Sequence, residues 1–293
     1  MSYSDISRRK IIPVISGKHF AEKLTYPYLP LLLDEVLISY PYADNPDLQL
    51  PDVDIWVDSG SFGLIRYGGG IFTCDDDTTG IKLNFNSEVM EITPMMLLDL
   101  QEKIASTAFT MDIPALSGIT TPEDALEKSV LNACWALENR RKRNMRLYAS
   151  IGVCENFQIW KKYVQRLAEE DFDGIAVGGL VPLIKKPGFV KKVISELLSV
   201  WGMDRPVHVF GLSKIPEDIS EKCTITSDSS TWIRYAASGK DTEGHLIIAD
   251  PSSIEIFHCA LNNLAAIGGK GLSTNMFRGI KTALINTQEN PGR

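Results

Sequence analysis

Along the chain, short runs of apolar and β-branched residues alternate with longer stretches in which apolar positions recur every three or four residues. The short runs predict strands at Ile55–Asp58, Ala108–Asp112, Leu147–Val153, Gly174–Val177, Val207–Gly211, Thr224–Ser227 and His245–Ala249. The longer stretches predict helices at Pro94–Thr107, Pro122–Arg141, Phe157–Glu170 and Gly188–Val200, with Thr121 placed to cap the second of them. The first fifty residues, rich in Tyr, Pro and Leu, show little periodicity. They read as an irregular entry segment, 1–50, with one early strand at Leu31–Ser39.

Strands that alternate with helices imply a parallel sheet joined by right-handed crossovers. At least seven such units within 293 residues favour a closed eight-stranded TIM (β/α)8 barrel over an open doubly wound sheet. No G-x-G-x-x-G follows an early strand, which removes the main support for a dinucleotide-binding fold. The expected organisation is one α/β barrel domain over 1–293.

Composition sets bounds. With 44% hydrophobic and 23% charged residues the chain has the makings of a core and not the signature of disorder. Five cysteines without a close pair do not form a disulfide framework, so a reducing compartment is expected. The opening residues MSYSDISRRKIIPVISG lack the apolar run of a signal peptide, and no stretch nears the ~20 apolar residues of a membrane span. A cytoplasmic enzyme without a membrane partner is the reading. The net charge of −7 speaks weakly against sequence-blind nucleic-acid binding and leaves room for one local basic face, for which Lys185, Lys186, Lys191 and Lys192 are the candidates.

In a barrel, chemistry sits at the C-terminal ends of the strands. Asp58 ends IWVD, Asp112 ends AFTMD and Asp228 lies in CTITSD, each followed at once by a small residue, an apolar turn or a serine pair. Three strands closing on aspartates bring three carboxylates into one pocket, where neighbours can hold them in different ionisation states. An aspartate after a strand is also ordinary turn chemistry or a helix cap, and both readings stand. Gly178 and Gly179 end another strand, where they serve either a close backbone approach to a flat ligand or simply a turn.

In order along the chain, these segments resemble the tRNA-guanine transglycosylase superfamily. DSGSFG at Asp58–Gly63 is similar to its D-S-G-G-F-Q element, TMDIPA at Thr110–Ala115 to F-D-E-C-x-P, and FDGIAVGGL at Phe172–Leu180 to F-D-G-x-A-I-G-G-L. SIGVCEN at Ser150–Asn156 stands where that family has V-Q-G-G, and VHVFGLSK at Val207–Lys214 resembles its Y-L-M-G-V-G strand. In the nucleophile segment an Asp is followed six residues later by an Arg and eleven later by a Gly, as are Asp228, Arg234 and Gly239. The resemblance implies Asp228 as a covalent nucleophile and Asp58 as the general base. It implies Asp112, Ser59, Cys154 and the backbone of Gly178, Gly179 and Leu180 as base-binding groups, with Arg234 holding Asp228 or a phosphate. It further implies a polynucleotide partner, DNA or tRNA, a free 7-deazaguanine as the incoming base, and a leaning towards a homodimer.

Three departures matter. Gly63 stands for the Gln of the first element and Ser61 for its second Gly. Cys154 stands for the Gln of V-Q-G-G, with Glu155–Asn156 for its glycines. The family's C-x-C-x-x-C plus His zinc set is absent from this sequence: Cys74, Cys134, Cys154, Cys223 and Cys259 are scattered, and His258 and Cys259, adjacent on a helix, point roughly 100° apart. His19, His208 and His245 read as ordinary packed or surface residues. No metal and no cofactor is expected. These features are most like the compact branch that inserts 7-deazaguanines into DNA, the DpdA type, so DNA is favoured over tRNA as the polymer. A nucleoside glycosidic-bond hydrolase of the queuosine type, a non-catalytic nucleic-acid-binding subunit, and an unrelated barrel whose aspartates are caps are the alternatives.

Overall fold

The computed structural model describes residues 9–44, 52–85, 88–115, 118–186, 188–216, 219 and 223–269. In chain order the elements are β1 (Arg9–Ile15), α1 (Phe20–Thr25), α2 (Leu29–Leu32), β2 (Glu35–Ser39), α3 (Tyr40–Ala43) and β3 (Asp54–Asp58). Next come α4 (Ser61–Arg66), β4 (Gly70–Thr73), β5 (Thr79–Phe85), β6 (Glu88–Ile92), α5 (Pro94–Ile104), β7 (Thr107–Phe109) and α6 (Pro122–Asn139). The remainder are β8 (Arg146–Gly152), α7 (Phe157–Ala168), β9 (Gly174–Gly178), α8 (Phe189–Trp201), β10 (Val207–Val209), β11 (Ile225–Ser229), α9 (Thr231–Ala237) and α10 (Ser253–Ile267).

The described residues fall into two compact units, one drawn from 9–17 and 35–230, the other from 18–34 and 231–269. In the first, eight parallel strands close into a barrel in the order β1-β11-β10-β9-β8-β7-β3-β2. This is the TIM-barrel architecture that the strand–helix alternation predicts. Strand side chains alternate between the two faces, and Ile12, Leu37, Trp56, Phe109, Tyr148 and Ala176 form a buried cluster inside it. The helices cover the outside with one apolar stripe each: Trp160, Val164 and Leu167 on α7, and Val193, Ile194, Leu197, Leu198 and Trp201 on α8.

Several elements differ from expectation, each for a local reason. β1 reads poorly in sequence because Pro13 interrupts it; the strand survives because pairing to β11 runs through Pro13 and pairing to β2 begins only at Val14. The early strand expected at Leu31–Ser39 is confined to Glu35–Ser39, since Leu29–Leu32 turns as a helix behind Pro30. Residues 1–50 thus hold two barrel strands. The antiparallel sheet β4-β5-β6, inserted between α4 and α5, lies outside the strands that the sequence pattern predicts. No strand forms at His245–Ala249: Leu246 makes a single bridge to Lys240, and the amides of Ile247 and Ile248 both donate to the Gly239 carbonyl.

β7 stops three residues short of the expected Asp112, and β10 two short of the expected Gly211. At that level side chains take over the backbone's partners. The Met111 carbonyl accepts from Asn132 and the Ile113 amide donates to Ser129, both on α6. The Gly211 amide donates to Asp228 and the Leu212 amide to Ser227.

In the second unit, a capping box of Ser252 and Glu255 starts α10, and Asn263 on that helix donates to the carbonyls of Trp232 and Lys240. Phe257 packs on Tyr28 with ring centroids 6.1 Å apart. His19, read as an ordinary residue, caps α1 by accepting from the Ala21 amide at 3.2 Å. Among the described residues no helix is long and apolar enough to cross a membrane.

Candidate active site

The period of two along each strand decides what reaches the barrel's C-terminal end. Where Leu37, Trp56 and Ala176 fill the interior, Ser39, Asp58 and Gly178 follow two residues later, one layer higher. The same step leads from His208 to Phe210 and from Thr226 to Asp228. That upper layer is the floor of a cavity of about 500 Å³, within the ~300–1,000 Å³ typical of ligand pockets. Asp58, Asp112, Asp228, Ser59, Gly178 and Gly179 all line it. Phe62, Tyr67, Tyr42 and Phe210 add aromatic wall.

Asp58 ends β3 beside Ser39 of β2, its partner in register. The Ser39 hydroxyl and the Gly60 amide donate to its carboxylate, yet Oδ1 has no partner within the protein. Burial pushes the group up from 3.8 to about 7; the charges of Asp228 and Asp112 add to this, against the two hydrogen bonds. Gly60 is required here, because its φ of +68° is a left-handed conformation and a Cβ would lie 2.9 Å from Pro41 Cδ.

Asp112 sits between the two backbone groups that α6 holds, so its loop is pinned on both sides. Its Oδ1 accepts from Ser59 Oγ at 3.4 Å, and Ser59 in turn bonds Ser61 Oγ at 2.7 Å. Burial raises its carboxyl to about 6, opposed by the Ser59 hydroxyl and its own amide. A Cβ on Gly178 would stand 3.5 Å from Asp112 Oδ2 and 3.7 Å from the Phe210 ring. A side chain at this position would occupy the space between carboxylate and aromatic.

Asp228 is 8% exposed. Its Oδ1 accepts from the Gly211 amide at 2.9 Å and lies 3.1 Å from His208 Nε2. His208 is fully buried, with Nδ1 2.9 Å from Thr226 Oγ1 and its ring 4.8 Å from those of Phe109 and Phe210. Reading His208 as ordinary packing is corrected here: it is packed, and it also touches the carboxylate. The signal available in sequence was its alternation with Phe210 on a strand adjoining that of Asp228, which requires the strand order to interpret.

The remaining candidates are described each in its own element. Cys154 is half-buried in the turn after β8 and does not line the cavity, and the Leu180 side chain is buried away from it. Arg234 is on α9 in the second unit, where its guanidinium donates to Thr231 at 3.1 Å. Lys185, Lys186, Lys191 and Lys192 are exposed on the segment leading from β9 into α8. Lys186 pairs with Glu155 at 2.5 Å and Lys192 lies 4.8 Å from the centre of the Phe157 ring. His245 is exposed and bonded to Asp241. Among the described residues no group of three or more His, Cys, Asp or Glu converges as a metal site.

A parallel eight-stranded barrel with three carboxylates in one cavity at the C-terminal strand ends defines the (β/α)8 class of fold. The chain belongs to the TGT family: the model described as queuine tRNA-ribosyltransferase matches residues 48–242, more than half of its length. Similar proteins include the tRNA-guanine(15) transglycosylase of Methanococcus aeolicus, 23% identical over 263 residues, covering 85% of this chain and 39% of the relative. That of Methanococcus maripaludis strain C7 is 24% identical over 264 residues, with the same coverage. That of Pyrococcus furiosus is 29% identical over 164 residues, 54% of this chain and 24% of the relative. The chain thus spans about two fifths of the length of the Methanococcus relatives it matches.

Proposed function

We propose that this protein exchanges a guanine base in a polynucleotide for a 7-deazaguanine, through a covalent aspartyl-glycosyl intermediate. The observation that carries the reading is the division of labour among three carboxylates in one cavity. Asp228 is held by two contacts on one oxygen, while Asp58 is pushed up to about 7 with an oxygen facing no protein partner. Environments that separate two carboxylates in this way assign one as nucleophile and the other as acid and base.

In the first step Asp228 gives an electron pair to the anomeric carbon as the bond from that carbon to guanine breaks. The bond's electrons leave with the base, which takes a proton from Asp58. In the second step the incoming base loses a proton to Asp58 and attacks the same carbon, and the bond to Asp228 breaks. Asp112 accepts hydrogen bonds from the amino and ring N–H edge of each base, and the space beside Gly178 admits the flat ring. The base reaches such a pocket only when unstacked from its strand.

The relatives' name points to tRNA as the polymer. DNA, favoured on the sequence alone, is tested beside it. The exposed lysines 185, 186, 191 and 192 follow the strand end that bears Gly178, and this reading gives them the phosphate contacts. The test is retention of radiolabelled guanine by tRNA, double-stranded DNA or single-stranded DNA, with Asp228→Ala as control. Label in one polymer that is lost in the variant supports exchange and names the polymer. Release of base from a nucleoside without incorporation would replace this reading with hydrolysis, and no turnover of any substrate would return weight to a non-catalytic binding role.

A further inference from the structure

The contacts around Asp228 are uneven. Oδ1 has both of its partners, the Gly211 amide and His208 Nε2, on the barrel side. Among the described residues none hydrogen-bonds Oδ2, and the residue opens on the cavity. His208 itself cannot turn. Its ring stands among Trp56, Phe109 and Phe210, and Nδ1 is tied to Thr226 Oγ1, which lies directly beside it in the β10–β11 register. A carboxylate oxygen has no hydrogen to give, so the nitrogen facing it must carry one.

We infer that His208 is a positioning residue for the nucleophile: with Gly211 it forms a two-donor clamp on Oδ1, which makes Oδ2 the attacking atom. The inference rests on the proposed reaction and adds to it the atom and the second step. When the Oδ2–carbon bond forms, Oδ1 becomes the carbonyl oxygen of the glycosyl ester. When that bond breaks, its electron pair returns to the carboxylate, and the negative charge reappearing on Oδ1 meets two N–H groups already in place. Donors preset where charge develops speed such steps, and loss of one costs ~10²–10³-fold. Thr226 belongs to the same device, since it fixes which way the ring faces.

Two measurements test this, one of which does not depend on turnover. In the whole protein labelled with ¹⁵N-histidine, the nitrogen resonances of His208, assigned by loss in His208→Phe, report which ring nitrogen is protonated. A proton on Nε2 is expected; an Nε2 without one would mean that Asp228 donates to the ring, and the clamp would be overturned. The second compares single-turnover rates of His208→Phe and His208→Gln. The phenylalanine keeps the packing and removes the donor, while the glutamine amide restores it. His208→Phe should lose ~10²–10³-fold in kcat with KM for the base within about twofold, and His208→Gln should recover most of that loss. Equal loss in both variants at wild-type Tm, or none in His208→Phe, would overturn the role. If the wild type turns over no polymer, the proposed function fails while the resonance result still decides the clamp.

Discussion

Ser39 and Asp58 end neighbouring parallel strands in register, and the serine hydroxyl donates to a carboxylate whose Oδ1 is itself without a protein partner. One oxygen of the group is thereby anchored to the barrel rim, and the other is buried with its hydrogen-bonding capacity unused. Buried polar atoms without partners are uncommon, and those that occur in a cavity mark where a ligand supplies the missing bond.

Asp58 makes stability fall with rising pH. Below about pH 4 it is protonated in both the folded and unfolded chain. Between about 4 and about 7 the folded protein keeps a proton that the unfolded chain has released, so stability declines through this window and the cost is complete above it. Asp112, raised to about 6, adds a decline of the same sign. Asp58→Asn should flatten much of this slope and raise stability at pH 8 by an amount on the order of a few kcal/mol, while base exchange is lost. Urea unfolding at a series of pH values reads the slope; one equally steep in the variant would contradict the assignment.

Asp228→Ala should abolish exchange and also weaken the fold. It leaves the Gly211 amide and the buried His208 ring without their acceptor, a loss of about 1–3 kcal/mol. An aspartate acting only as a cap would cost about 1 kcal/mol and leave exchange untouched. Thermal denaturation paired with the incorporation assay separates the two.

Gly63 lines the cavity on α4, its φ is unexceptional, and a Cβ there would meet nothing within 4 Å. Nothing in the fold calls for glycine at that point. Gly63→Ala should therefore stabilise the protein by about 0.5–1 kcal/mol, yet raise KM for the incoming base because it narrows the cavity. Gly60→Ala, at a left-handed φ against Pro41, should cost about 1–3 kcal/mol. Equal Tm shifts in the two would refute the distinction.

Replacing Lys185, Lys186, Lys191 and Lys192 with alanine should weaken polynucleotide binding and flatten its dependence on salt by ~0.7–0.9 in the log–log slope for each phosphate contact removed. Fluorescence anisotropy across a salt series measures this. Part of the charge is already engaged by Glu155 and by the Phe157 ring, so the loss should be smaller than four full contacts. A slope identical to wild type would remove the lysines from the interface.

The barrel and the three aspartates were legible in the chain because both depend on local order. A β-branched run is a strand wherever it lies, and an aspartate at its end stays at its end. Asp58, Asp112 and Asp228 could be named without coordinates, and so could Gly178. Cys154 could be named from the motif, but it does not line the cavity: a motif records neighbours in sequence, and the cavity gathers neighbours across strands.

What the sequence by itself determined is thus the alternation of strands and helices and the carboxylates at the strand ends. Only the closed barrel decided that β10 lies beside β11, which brings a histidine between two valines to 3.1 Å from Asp228. Only the closed barrel gave the three carboxyls their different environments, because burial and mutual repulsion act through space. The apolar run His245–Ala249 shows the same limit in reverse: its pattern is that of a strand, but a strand needs a partner along its length, and here Leu246 finds a single bridge.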